Sequence, residues 1–483
     1  MTRRMLLGLV AVFAATQAAA HALGFRFETY PLRWFLHFLD PELLRTRLLE
    51  SVFYMHIQPP LFNLFAGLVL KLTPTGTWLF YAIFLVTGGV FYIALVVLQL
   101  RLGVSKIVAV TIATLFLLSP SFLLYEHWMF YTFPCAAILS VSVLLVYEAA
   151  RTPSRWPLPV LFTLLFVLCG MCSLFHLLYF LLVAALLFAF LPERRKAVVF
   201  AAVLPFVLLV SIYVKNWILF DTFSTSTVMG KDLWIMTAGN MNGVERTRLV
   251  QEGKLSPVSL INRFDTLDRY PKEYRETPGF EQIPALRQEN KTDGAHNFNH
   301  IGQVPISRQY LTDAVYVLKR YPQAFVRTSA LAWCTYFTSS ELYVSENAPV
   351  VSRLGLSAFY DTVFYGKIPA RLAVRLPGGG VGNSPCIFLL VGLPLIAFYA
   401  ARCAVKGKAG ANALTREQRI ALAFCVLTIG YVAVIGNSFD VMETNRYRFM
   451  TDALSAACLG FFISRAALPK LRGRLSRRPN IQP

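Results

Sequence analysis

Two carboxylates flank a proline in the sequence Asp40-Pro41-Glu42, and Glu50 follows one helical stretch later. On one short turn, one carboxylate can remove a proton from an attacking hydroxyl while the other holds a metal ion or a positioning contact. The alternative is a helix start, in which Asp40 caps the first turn and Pro41 is its first residue. Both interpretations stay open at this stage, and Glu50 competes with the pair for a catalytic role.

A second group of ionisable residues precedes the last apolar run. Asp440, Glu443, Arg446 and Arg448 fall within the segment "DVMETNRYR". Because arginine forms forked hydrogen bonds to phosphate, the two arginines suit the phosphate head of a lipid. Pairing of the arginines with Asp440 and Glu443 is the alternative. Lys215, at the end of another apolar run, offers a further cation, although lysines at such positions often only reach toward water.

The stretch "YMHIQPPLFNLF" places polar side chains directly before an apolar segment. Consecutive prolines cannot lie inside a helix, so Pro59 and Pro60 predict a helix start, with His56 and Gln58 just before it. The apolar segment 60–72 is too short to cross a bilayer. It therefore predicts a helix lying along the membrane surface.

Other candidate residues carry weaker signals. Cys169 and Cys172 have a spacing found in metal sites, but they lie in an apolar run and are interpreted as packing residues. His296 and His300 could share a helical face, yet their Gly and Asn neighbours favour a loop. Glu126 stands in a short segment rich in aromatic residues, which is typical of a membrane interface.

The composition defines the elements that must hold these residues. The chain has 483 residues, of which 56% are hydrophobic and 15% charged, and its mean hydropathy is +0.54. These values indicate a polytopic membrane protein. The net charge of +20 arises largely from Lys and Arg clusters between apolar runs. That pattern orients helices in a membrane and does not indicate binding to nucleic acid.

The apolar runs predict an all-α protein with about ten transmembrane helices. They lie near residues 5–24, 77–100, 107–123, 131–150, 197–217, 386–402, 418–437 and 448–465, and the stretch 157–191 holds two more that meet near Gly170. If segments 60–72 or 325–337 also cross, the count becomes 11 or 12, but Arg327 argues against the second. The first run also resembles a signal peptide, and we interpret it as a retained span.

With ten spans, the basic short connections share one side, and both termini are cytoplasmic. The acidic loops then share the exterior side. The domains expected are an N-terminal transmembrane catalytic module (1–217) with an acidic first exterior loop (24–75), an exterior lid region with interfacial helices (218–384), and C-terminal transmembrane helices with a basic tail (385–483).

Together these motifs resemble the GT-C superfamily of polytopic glycosyltransferases, in the branch of protein O-mannosyltransferases, aminoarabinose transferases and RgtA-like enzymes. The resemblance rests on "DPE" at 40–42, "PPL" at 59–61, an acidic residue in the second exterior loop (Glu126), and "ETNRYRF" before the last span. It implies that Asp40 or Glu42 is the general base and that Glu126 is a further catalytic residue. It further implies that His56 and Gln58 line the rim of the acceptor or sugar pocket.

The resemblance implies transfer of a sugar from a polyprenyl-phosphate donor to an acceptor hydroxyl or amine in one inverting displacement. The acceptor would be a glycan, a lipid or a protein. Arg446, Arg448 and Lys215 would stabilise the leaving phosphate, so no cofactor is required; a divalent ion at Asp40 and Glu42 is the alternative. On this view, Asp40→Asn abolishes transfer without unfolding the protein.

The expected location is a bacterial inner membrane with the active site facing the periplasm. Two other functions stay open: a polymerase or ligase of undecaprenyl-linked glycans, and a lipid or solute transporter. Transporters tend to place ionisable residues at the bilayer midplane in broken helices and to have two related halves, and the sequence shows neither feature.

Overall fold

The structure is a computed structural model that describes residues 2–73, 75–340, 345–367, 385–409 and 412–467. The basic tail at 470–479 and much of the C-terminal part of the predicted lid region, including residues 368–384, lie outside the described residues. The described chain is almost entirely helical. Its two short strands, β1 (Lys408–Ala409) and β2 (Asn412–Ala413), form one antiparallel pair.

The helices of the N-terminal half are α1 (Arg3–Ala22), α2 (Pro31–Trp34), α3 (Pro41–Thr46), α4 (Leu48–Phe53), α5 (Leu61–Leu72), α6 (Thr77–Arg101), α7 (Lys106–Leu117), α8 (Pro120–Glu126), α9 (Thr132–Arg151), α10 (Pro157–Met171), α11 (Leu177–Phe190) and α12 (Arg195–Phe220). The remaining helices are α13 (Met229–Met236), α14 (Gly243–Gln251), α15 (Lys272–Arg275), α16 (Pro284–Arg287), α17 (Gln303–Arg320), α18 (Pro322–Tyr336), α19 (Ala348–Arg353), α20 (Leu356–Tyr360), α21 (Leu393–Lys406), α22 (Arg416–Phe439) and α23 (Thr444–Phe462).

Six helical segments are long and apolar enough to cross a membrane, which indicates a membrane protein. They are Arg3–Ala22, Thr77–Arg101, Thr132–Arg151, Pro192–Phe220, Phe388–Lys406 and Arg416–Phe439. A seventh is obtained if α7 and α8, which are bent by 58° relative to each other, count as one broken span. The bend follows from the sequence, because Pro120 starts a new helix that the Ser119 side chain caps.

The other three predicted spans exist as helices that fall short of these criteria. Helices α10 and α11 have 15 and 14 residues, fewer than the roughly 20 that a full crossing needs. They separate at Cys172–His176, just after the predicted break at Gly170. Helix α23 has 19 residues and carries two buried arginines, Arg446 and Arg448. The count of about ten spans therefore stays a prediction.

The basic connections meet at one end of the helices, as the charge pattern predicts. Arg101 at the end of α6 forms an ion pair with Glu148 near the end of α9 (3.0 Å), and Arg416 at the start of α22 contacts Glu193 (2.7 Å). Arg194 donates to the Ala149 carbonyl, which brings the start of α12 to the same face. We refer to this end of the molecule as the basic face.

Residues 229–320, which we call the outer unit, form a small helical body with its own core. Trp234, Leu249, Val258, Tyr310 and Val317 are all buried in that core. Its longest helix is α17, which has 18 residues. Helix α18 follows the unit, and at 15 residues it is not among the candidate spans.

Candidate active site

A cavity of about 380 Å³ lies at the end of the long helices opposite the basic face. The ends of α9, α11, α12, α22 and α23 surround it, and α13 of the outer unit closes one side. Residues from these six helices or their caps that line it are Tyr131, Leu177, Tyr213, Phe439, Tyr447 and Asp232. The cavity is thus bounded by apolar helices and by a polar body, a setting suited to a substrate with a lipid tail and a polar head.

Asp232 is the ionisable residue that the outer unit presents to this cavity. Its carboxylate contacts the Arg263 guanidinium at 2.7 Å, and 35% of its side-chain surface is exposed. Burial raises the pKa of Asp232 to about 7, although the nearby Arg263 acts in the opposite direction. A carboxylate with this pKa is suited to accept a proton near neutral pH.

Asp440 lines the same cavity from the end of α22. Its Oδ1 atom accepts a hydrogen bond from the Met442 backbone N–H (2.9 Å), and its Oδ2 atom accepts one from the Tyr447 hydroxyl (3.0 Å). The like charge of Asp440 contributes to the raised pKa of Asp232. The cavity therefore holds two carboxylates with different partners, one paired with arginine and one held by neutral donors.

Hydroxyl groups supply most of the other polar atoms. Tyr213 accepts a hydrogen bond from the Leu177 backbone N–H (3.0 Å), which fixes its hydroxyl in the cavity lining. Ser226, also in the lining, donates to the Ile57 carbonyl (2.7 Å) and so joins the cavity wall to the first loop.

Arg446 lies behind this wall and does not line the cavity. Its side chain is buried, and it forms an ion pair with Glu443 (2.5 Å) and donates to the Thr132 hydroxyl (3.2 Å). The guanidinium also lies against the rings of Tyr131 and Tyr447, which do line the cavity. Arg446 thus supports the wall, and the predicted internal pairing with Glu443 is confirmed.

Arg448 is buried completely and its donors are used within the protein. It forms an ion pair with Asp452 (3.2 Å), donates to the Ser340 hydroxyl (2.7 Å), and donates to the carbonyls of Tyr336 and Thr338. These contacts fasten α23 to the end of α18. The expectation of an arginine presented to a phosphate is therefore corrected for Arg448.

Lys215 is also engaged by backbone groups. Its ammonium donates to the carbonyls of Phe53 (2.9 Å) and Met55 (2.7 Å). It joins the end of α12 to the end of α4 and lies outside the cavity lining. Lys215 therefore positions the first loop, and the expectation that it contacts a substrate phosphate is corrected.

Asp40 and Glu42 have separate partners. Asp40 caps α3 through its Oδ1 atom, which accepts from the Glu42 backbone N–H (3.0 Å), while Oδ2 accepts from the backbone N–H (2.8 Å) and hydroxyl (2.5 Å) of Thr292. Glu42 forms an ion pair with Arg45 (2.6 Å), and Glu50 forms one with Arg47 (3.2 Å). The predicted cap is confirmed, and the two carboxylates do not converge on one site.

His56 is buried inside the protein and does not line the cavity. Its Nδ1 atom accepts from the Thr227 hydroxyl (2.8 Å), and its Nε2–H donates to the Asn299 carbonyl (3.0 Å). Burial lowers the pKa of His56 to about 3, so the ring is neutral. Gln58 is buried close by. Neither His56 nor Gln58 is in the lining of the cavity, and His56 fastens the first loop to the outer unit through Asn299. Their predicted role at the rim of a substrate pocket stays a prediction.

Glu126 is fully buried at the end of α8 and is separate from the cavity. Its Oε2 atom accepts a hydrogen bond from the Gln17 side chain of α1 (2.6 Å). A Cβ atom at Gly88 of α6 would lie 1.9 Å from Oε1, so the absence of a side chain there makes room for the carboxyl group. Glu126 therefore does not face solvent, and its carboxyl group lies between α1 and α6.

The described residues contain no group of three or more His, Cys, Asp or Glu side chains that could hold a metal ion. His296 and His300 lie in a loop, as their neighbours predicted. The His300 Nδ1 atom accepts from the Gly302 backbone N–H (3.0 Å), and His296 contacts Asn290 (3.1 Å). Cys169 and Cys172 are buried among apolar residues.

Asp232 was not among the site residues expected from the sequence. Its local signal is weak, because it lies outside the acidic motifs that flank the apolar runs. The packing of α13 explains its placement: a Cβ atom at Gly230 would lie 1.9 Å from the Ser307 carbonyl oxygen. This close approach of α13 to α17 seats the neighbouring Asp232 at the cavity.

The fold and cavity define an α-helical membrane protein with an ionisable pocket at one end of its apolar helices. No protein-family model matches the sequence, and comparisons with curated proteins and with solved structures find no match.

Proposed function

We propose that the protein is a membrane glycosyltransferase that moves a sugar from a polyprenyl-phosphate donor to an acceptor hydroxyl or amine. The observation that carries the proposal is a cavity bounded by apolar helices and containing the carboxylates of Asp232 and Asp440. The lipid tail of the donor would lie along the helices, and its sugar would occupy the cavity. The resemblance to GT-C enzymes supports the same chemistry.

In the proposed reaction Asp232 is the general base. It removes the proton of the acceptor hydroxyl as the oxygen forms a bond to the anomeric carbon, and the bond to the lipid phosphate breaks with its electron pair on the phosphate oxygen. The carboxylate of Asp440 would stabilise positive charge that develops on the sugar. Hydroxyl groups of the wall, such as that of Tyr213, would donate to the leaving phosphate.

The proposed location is a bacterial inner membrane, with the cavity on the periplasmic side and both termini in the cytoplasm. The basic connections support this orientation, because Lys and Arg are enriched in cytoplasmic loops. No cofactor is required by the proposed step. The acceptor, whether a glycan, a lipid or a protein, would enter from the side of the outer unit.

The test is a transfer assay with purified full-length protein and radiolabelled polyprenyl-phosphate sugars, with membrane extract as acceptor. Asp232→Asn keeps the shape of the side chain and removes the base, so transfer should fall at least about 100-fold. Asp268→Asn is the matched control, because Asp268 is exposed in the same outer unit, and its activity should equal that of wild type.

Three outcomes separate the alternatives. Transfer by Asp232→Asn within threefold of wild type would remove Asp232 from the mechanism. Loss of transfer in Glu42→Gln or Glu126→Gln, with Asp232→Asn active, would return the role to those residues. If folded wild-type protein consumes none of several donors, the transferase proposal fails and the polymerase or transporter alternatives gain.

A further inference from the structure

A second cavity, of about 270 Å³, opens on the outer unit beside Met442 of the α22–α23 connection. Trp234 and Phe264 form apolar parts of its lining, and Arg246, Arg263 and Asn262 contribute polar groups. The two arginines are the ionisable residues of this lining, and no Asp or Glu in the described part of the chain belongs to it. The lining of the second cavity therefore contains two guanidinium groups, of which that of Arg263 is paired with Asp232.

Arg246 has no carboxylate partner within the described residues. Its Nη1 atom donates to the carbonyls of Ala238 (3.2 Å) and Gly239 (2.8 Å), its Nε atom has no partner, and the guanidinium lies over the Trp234 ring at 5.7 Å. Burial lowers the pKa of Arg246, and no anion in the described structure offsets this cost. An anion bound in the cavity would compensate the charge.

Arg263 stands between the two cavities. It is only 5% exposed, its Nη1 atom contacts Asp232, and its Nε atom has no partner among the described residues. Asp232 lines the first cavity and Arg263 lines the second. The ion pair therefore joins Asp232, the proposed base, to a residue that lines the second cavity.

We propose that the second cavity binds a phosphate group through Arg246 and Arg263. Arginine matches the geometry of phosphate oxygens with paired donors, and Trp234 and Phe264 hold the guanidinium groups in place. If the proposed function is correct, this phosphate belongs to the acceptor, and its binding brings the acceptor hydroxyl toward Asp232. The acceptor class would then be a phosphate-bearing lipid or glycan.

The first measurement is calorimetric titration of the full-length protein in detergent with inorganic phosphate and, separately, with a short-chain phosphatidic acid. Arg246→Gln should weaken binding of both ligands at least tenfold. Arg248→Gln is the matched control, because Arg248 is on the same helix, α14, but forms ion pairs with Glu245 and Glu252 outside the cavity. Its affinity should stay within twofold of wild type.

The two ligands distinguish the source of the phosphate. Tighter binding of phosphatidic acid than of inorganic phosphate supports a lipid acceptor, and equal binding supports recognition of the phosphate group alone. Arg246→Lys keeps the positive charge but loses the paired donors of the guanidinium group, so it should bind phosphate with intermediate affinity. This variant also guards against misfolding of Arg246→Gln. Absence of phosphate binding to wild type, or equal binding by wild type and Arg246→Gln, would overturn the proposal.

The binding readout does not depend on catalysis. Binding at Arg246 without any sugar transfer would overturn the proposed function and leave the phosphate site intact. Sugar transfer by a protein that binds no phosphate would overturn the phosphate site and leave the proposed function intact. Where both occur, Arg246→Gln should raise the KM for a phosphate-bearing acceptor at least fivefold and leave its kcat within twofold, because Arg246 does not touch the reacting atoms.

Discussion

At the scale of single residues, Asp232 shows how the surroundings of an aspartate change its pKa and thereby the chemistry that it can perform. An aspartate in water is ionised well below neutral pH. At the cavity, burial and the like charge of Asp440 raise the pKa of Asp232 to about 7, despite its contact with Arg263. The same residue type at position 40 is held by Thr292 and a helix start, and its oxygens are already occupied.

The raised pKa predicts a pH dependence of the proposed transfer. A base must be deprotonated, so kcat/KM should fall about tenfold per pH unit below pH 7 and level off above it. Initial rates between pH 5.5 and 8.5 at low acceptor concentration test this. Glu42→Gln is the comparison, because Glu42 pairs with Arg45 away from the cavity, and its profile should match wild type. A flat wild-type profile would exclude Asp232 as the base.

At the scale of elements, the first loop is fastened to later segments by polar contacts. His56 contacts Thr227 and Asn299, and Asp40 contacts Thr292. Each of these contacts joins residues far apart in sequence. Such buried polar contacts stabilise one arrangement of the segments, because breaking one leaves donors or acceptors unpaired.

The role of Asp40 in this fastening leads to a testable change in stability. Asp40→Ala removes a helix cap and the acceptor of Thr292, so the free energy of unfolding should fall by about 1–3 kcal/mol. Asp40→Asn keeps the acceptor of the helix cap, so it should lower the free energy of unfolding by less than Asp40→Ala. Thermal unfolding in detergent, combined with transfer per folded molecule, measures both effects. We expect transfer within about tenfold of wild type; abolition of transfer in a protein of wild-type stability would instead make Asp40 catalytic.

At the scale of the whole molecule, the helices separate a basic face from a cavity face. At the basic face, Arg194 donates to the carbonyl of Ser154, which precedes α10. At the cavity face, Ser173, which follows α10, lines the cavity. The short helices α10 and α11 therefore run between the same two faces as the longer ones. A membrane placed across the helices would put these faces on opposite sides.

Cysteine labelling tests this arrangement. Arg155 and Lys254 are exposed near the basic face and on the outer unit, respectively. In a Cys334→Ser background, Lys254→Cys should react with a membrane-impermeant maleimide in spheroplasts, and Arg155→Cys only after permeabilisation. Seven of the native cysteines are buried, so their background reaction should be low. Reaction of both positions from the same side would contradict the predicted topology.

Local sequence features predicted the helical membrane class, the positions of the long apolar helices and the grouping of basic connections. These features depend on local hydropathy, on Pro120 or Pro41 at a helix start, and on charge between apolar runs. The sequence also indicated the cap at Asp40 and the pairing of Arg446 with Glu443, because each involves neighbours within a few residues.

The tertiary structure alone decided which carboxylates share a cavity. Asp232 and Asp440 belong to different elements, and their approach depends on the tight contact of α13 with α17 at Gly230 and on the packing of the outer unit against the ends of the long helices. Motif spacing cannot report such distances. Whether a polar side chain binds substrate or fastens the fold is decided by partners such as Thr292 and Asn299, which the chain supplies only once it is folded.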